Sequence, residues 1–138
     1  MASEALVSKV KELMTLTKQG QADAAFAGYV ELFQTDWFMD ETPEDRRKAL
    51  KIVVCAKVIP NKVTPANAAA HRAAMIPLKQ MIADLNEPQD METLGICHAM
   101  VHEDDKAAAV FRNALTIERA RDPQSVLCGS LMKWVSAV

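Results

Sequence analysis

The stretch METLGICHAMVHEDDKAAAVFRNALTIERA, from Met91 to Ala120, decides how the chain is read. Apolar residues recur at helical spacing on both sides of the polar turn His102-Glu103-Asp104-Asp105. That pattern predicts two amphipathic helices, one from about Pro88 to Val101 and one from about Asp104 to Ala120. Glu103, Asp104 and Asp105 read as a helix start, because acids there cap the free N–H groups and oppose the helix dipole.

The chain before this stretch reads as further helices. Leu6, Val10, Leu13 and Met14 make one apolar face of a helix from about Ser3 to Lys18, and Gly20 suits the left-handed turn that ends it. A second helix runs from about Ala22 to Gln34, with Ala25, Tyr29, Leu32 and Phe33 on one side. Its small residues Ala24, Ala25, Ala27 and Gly28 permit a close neighbour. Trp37 and Phe38 then either cover the core edge or form a contact patch. Thr42-Pro43-Glu44-Asp45 starts a third helix, expected to reach about Val58 with Val58 facing inward. The basic cluster Arg46-Arg47-Lys48 with Lys51 reads as a solvated face with local ion pairs. Ile59-Pro60-Asn61 breaks the chain, and Thr64-Pro65 starts a fourth helix that includes Ile76 and Leu85 in its apolar pattern. Pro77 inside it predicts a kink or a split. A last helix, roughly Gln124 to Ser136, carries Val126, Leu127, Leu131, Trp134 and Val135 and would cover an apolar end.

Composition agrees with an all-α chain. Of 138 residues only four are glycine and six proline, while half are hydrophobic. A length of this order predicts one domain over residues 1–138. The formal net charge of −2 gives no electrostatic reason to expect nucleic acid or an anionic membrane surface. No uninterrupted apolar run reads as a signal peptide or a transmembrane helix, so a cytoplasmic location is expected. Cys55, Cys97 and Cys128 are odd in number and widely spaced, which fits buried free thiols better than disulfides.

Within the opening stretch, Ala107, Phe111 and Ala114 follow Gly95 by twelve, sixteen and nineteen residues. This spacing resembles a tetratricopeptide repeat, in which small residues let two helices approach and a phenylalanine fills the gap beside them. His98 stands where that family commonly has an aromatic residue, and His102 replaces its turn glycine. Residues 3–34 match more weakly, with Leu13 in place of the small residue of the first helix. The middle pair fits by topology and alanine content alone. The resemblance implies a tetratricopeptide-like α-solenoid of about three stacked antiparallel helix pairs with a C-terminal capping helix.

The resemblance also implies a protein-interaction module, an adaptor or scaffold that binds a peptide or partner helix on a concave face lined by the first helix of each pair. Carried onto the best repeat, the partner-binding positions are Gln89, Glu92, Ile96, Ala99 and Met100. By topology Lys51, Val54 and Lys57 extend them. A second expectation is self-association into a homo-oligomer through Trp37 and Phe38 or through the Trp134 helix. Catalysis has little to stand on: no phosphate loop, nucleophile elbow, paired-cysteine or calcium motif is present. His98 and His102 lie one helical turn apart, but two ligands fall short of the four of a structural zinc site. No metal, cofactor or enzymatic activity is expected.

Overall fold

Ser3, Thr42, Thr64 and Ser125 each hold the backbone N–H three residues on, and each starts a helix. Their side-chain oxygens accept from Leu6, Asp45, Asn67 and Cys128 at 3.2, 3.2, 3.1 and 2.9 Å. The computed structural model describes residues 2–58 and 62–138. Its helices are α1 (Glu4–Lys18), α2 (Ala22–Phe33), α3 (Pro43–Val53), α4 (Pro65–Leu85), α5 (Pro88–Met100), α6 (Asp104–Arg121) and α7 (Val126–Ala137), with a 3₁₀ turn at Asp36–Asp40. Among the described residues there is no strand. The expected break at Ile59-Pro60-Asn61 lies outside them.

Neighbouring helices are packed in the order α1, α2, α4, α5, α6, α7. Helix α4 packs extensively on α2 and α5 and only slightly on α3, so the middle pair expected from topology is not a tight hairpin. Among the described residues, three in left-handed backbone reverse or end helices: Gly20 (φ +78°), Asn86 (φ +51°) and His102 (φ +62°). Gly20 behaves as its sequence predicts. His102 takes the conformation that a turn glycine adopts without strain.

The hairpin of α5 and α6 closes on Gly95 and Phe111. A Cβ on Gly95 would overlap the Phe111 ring, with Cδ1 and Cζ at 2.7 and 2.8 Å and Cε1 nearer still. Ala107, Phe111 and Ala114 are fully buried. Trp134 of α7 stacks on Phe111 at 5.5 Å between ring centroids with 7° between planes. The α1–α2 hairpin uses the same fit with the roles exchanged. Leu13 on the first helix lies over Gly28 on the second, where a Cβ would meet the leucine side chain.

Several expectations need correction. Helix α3 ends at Val53 rather than Val58. The β-branched run Ile52-Val53-Val54 favours extended backbone, and Val54 adopts φ −94°, ψ 80°. Val58 is therefore exposed instead of facing the core. Cys55, beyond the helix, is exposed, while Cys97 and Cys128 are buried free thiols. Burial pushes the Cys97 thiol pKa up. Ile76, Leu85 and Val126 also face solvent. Pro77 does not split α4, which runs unbroken through it with the ring buried. Of the two aromatics after α2, Phe38 is fully buried against Phe33, while Trp37 is about one-third exposed.

Candidate functional site

Helix α5 sits at the centre. Every residue from Met91 to Met100 except Glu92 is buried, because α4 and α6 pack along the helix, while α7 meets it at Glu92. Ile96, Ala99 and Met100 are therefore core residues, as is Val54 after α3. As partner-binding positions, Ala99, Met100 and Val54 offer almost no surface. The run Leu94–Met100, apolar but for His98 over about two turns, carried this signal, since such a segment belongs inside a fold.

The other expected positions divide. Gln89 is half-buried at the start of α5, and Lys51 is exposed on α3. Glu92, Ile96 and Lys57 meet at one cleft of about 460 Å3 that Ser130, Lys133 and Trp134 of α7 complete. There Ser130 Oγ donates to Glu92 Oε2 at 2.6 Å. The carboxylate that resemblance placed on a binding face is thus occupied by the chain's own α7. Of the aromatics expected at a subunit interface, Phe38 and Trp134 are buried in the chain's own core.

The two histidines separate by role. His98 is buried, and its Nδ1 donates to Glu103 Oε1 at 2.9 Å. This hydrogen bond, and then one from Lys106, holds the Glu103 carboxyl below its usual pKa. Glu103 does not cap α6 through its side chain, as expected; it reaches back to α5 instead. His102 is exposed in the turn. Among the described residues, no group of three or more His, Cys, Asp or Glu side chains is placed to hold a metal ion. His71 is buried in α4, where its Nδ1 donates to the Asn67 carbonyl at 2.9 Å. Among the described residues its Nε2 has no hydrogen-bond partner. Burial lowers the His71 pKa and keeps the ring neutral.

The basic cluster on α3 is not a uniformly solvated face. Arg46 is buried, with Nη1 3.7 Å from Met39 Sδ. Arg47 Nε and Nη2 donate to Asp90 Oδ1 and Oδ2 of α5 at 2.8 and 2.9 Å. The Asp90 side chain is 2% exposed and that of Arg47 15%. This two-point ion pair joins α3, which packs little on α4, to the central helix. Only Lys48 and Lys51 of the cluster project into solvent.

Between α1 and α3 the surface opens into an apolar groove. One hollow, about 280 Å3, lies over Leu6, Val10 and Ala49. A second, about 260 Å3, lies over Ala25, Phe26 and Val53. Both are lined by Ile52, so they adjoin at that side chain. Val7, Met14 and Ile52 stand on the walls with roughly 40% of their surface exposed. Sequence reading placed Met14 on the core face of its helix and Ile52 just off the α3 face. It missed the groove because it counted Met14 in the inward stripe with Leu6, Val10 and Leu13 and gave Val7 no place, whereas both are about 40% exposed.

No family model, curated protein or solved structure matches the chain. Among the described residues, no helix is long and apolar enough to cross a membrane.

Proposed function

We propose that the chain is a non-catalytic protein-interaction module of the helical-repeat type, built to receive a peptide or partner helix. The observation that carries this reading is the α1–α3 groove, whose apolar walls Val7, Met14 and Ile52 face solvent. Contiguous apolar surface of this kind, framed by polar residues, is typical of interaction sites. In a tetratricopeptide-like arrangement the first helix of each pair lines the receiving face; α1 holds that place in the first pair, and α3 stands beside it across the groove. The tight Gly95–Phe111 fit supports that arrangement at the other end of the chain. The groove, rather than α5, is then the receiving surface, since the face of α5 is already covered.

Selection of displayed helical peptides on the immobilised chain tests this reading, with Ile52→Glu as the counter-target. Enrichment of peptides that bind the wild type and not the variant supports it. A selection that yields only peptides indifferent to Ile52, or none, counts against it.

A further inference from the structure

We infer that the occupant of the α1–α3 groove is an acidic amphipathic helix of a partner protein. The inference rests on the reading of the chain as an interaction module and adds the chemistry of what it binds.

Shape sets the first condition. The groove follows α1 from Val7 to Lys18. At 1.5 Å per residue that step spans about 16 Å, or roughly three helical turns. The two adjoining hollows, about 280 and 260 Å3, are each large enough for a leucine or phenylalanine side chain. A helix carrying apolar residues at i, i+3, i+4 and i+7 presents such side chains in a row.

Charge sets the second. Val7, Lys11, Met14 and Lys18 alternate apolar and basic along the lining face of α1. Lys48 adds a third cation from α3. Among the described residues, none of the three lysines enters an ion pair within the chain. Among the described residues, Asp45 is the one acid lining the two hollows, and its Oδ2 already accepts from Thr42 Oγ1 at 2.9 Å. Three cations against one anion leave a locally basic rim on a chain whose formal net charge is −2. A leucine stripe flanked by glutamates satisfies both floor and rim, and complementary charge sets partner choice and speeds encounter.

Among the described residues, the exposed apolar positions at Ile76 and Met132 offer a second copy no such helix. Exposed Ile76 on α4 is flanked at helical spacing by Arg72 and Lys79, which the basic rim would repel. Helix α7, with exposed Met132, contains no acid.

The test uses the full chain and three fluorescently labelled synthetic helices of one length. One has a leucine stripe flanked by glutamates, one has the same stripe flanked by lysines, and one has serines in place of the leucines. The glutamate helix is expected to bind at least about tenfold tighter than the lysine helix, with the gap narrowing as salt rises. The serine helix is expected not to bind. Lys11→Glu with Lys48→Glu should reverse the order of the two leucine helices. Ile52→Glu and, independently, Val7→Glu should abolish both, with circular dichroism confirming that each variant stays folded. Equal binding of both leucine helices, lost in Ile52→Glu, overturns the acidic occupant and leaves the interaction reading standing. Failure of every helix to bind overturns the inference, and the peptide selection then decides whether the interaction reading falls with it. A concentration-dependent dimer dispersed by Ile52→Glu overturns the inference in favour of a second copy.

Discussion

Arg47 of α3 grips Asp90 of α5 at two points, 2.8 and 2.9 Å, across 43 residues of sequence. With the Asp90 side chain only 2% exposed, removing its partner strands a charge where water barely reaches. Arg47→Met should destabilise the fold by about 3 kcal/mol, the lower end for a broken buried pair because Arg47 keeps some solvent contact. Arg47→Lys should recover only part of this, since an ammonium cannot make the paired contact. The double replacement Arg47→Met with Asp90→Leu should be less damaging than Arg47→Met alone. Urea unfolding measures all three. Hydrogen exchange should show α3 opening first in Arg47→Met, because this pair is what joins it to the central helix and its packing on α4 is slight.

The fit of Gly95 under Phe111 leaves no room for a methyl group. Gly95→Ala should cost about 1–3 kcal/mol despite alanine's better helix propensity. Adding Phe111→Leu should give a total cost clearly below the sum of the two single changes, the sign of a shared clash. Gly28→Ala should cost less, because the group it meets is the end of the Leu13 side chain rather than a rigid ring. Thermal denaturation of the variants ranks them, and equal costs at both glycines would contradict this account of the close approach.

His102 carries φ +62° in an exposed turn. Glycine reaches that conformation without the steric cost a Cβ imposes. His102→Gly should therefore stabilise the chain, by up to about 1 kcal/mol, even though it gives the unfolded state more freedom. An unfolding midpoint below that of the wild type would contradict the prediction.

These positions show what the sequence made legible. The Gly95–Phe111 hairpin was readable because both halves of the fit lie in one short stretch at the spacing helix packing requires. The helix starts at Thr42 and Thr64 were readable for the same local reason. The Arg47–Asp90 pair was not, because nothing near Arg47 in sequence distinguishes it from exposed Lys48. Long-range pairing selects one of three adjacent cations, and only packing of α3 against α5 makes that selection. The groove was hidden in a similar way. Val7 and Met14 look like a broadened core stripe until α3 is seen to stand beside α1 with Ile52 on the same opening. Glu92 and Ile96 were expected on a partner-binding face; both lie instead at a cleft that α7 completes, with Glu92 bonded to Ser130, a long-range contact that no local spacing announces.

His71 supplies a pH dependence. Its folded pKa lies below the ordinary 6.5 because the ring is buried. As pH falls through 6.5 the unfolded chain binds a proton that the folded chain resists, so stability drops with falling pH in that window. The loss cannot exceed about 1.4 kcal/mol per pH unit for one site. Glu103 acts in a lower window, because its folded pKa lies below the usual 4.5 and its contribution is lost only as pH falls through that range. Urea midpoints at about pH 7.5 and about pH 5.5 should therefore differ less in His71→Gln than in the wild type. An unchanged difference would mean that His71 takes up its proton without opening the core.

The central claim is that the α1–α3 groove is the receiving surface. An amide chemical-shift titration of isotope-labelled full-length chain with the glutamate-flanked leucine helix tests it most directly. Shifts should be concentrated at Val7, Lys11, Met14, Lys48 and Ile52, saturate together, and vanish in Ile52→Glu. Shifts centred on Glu92, Ser130 and Lys133, or none anywhere, would contradict the account.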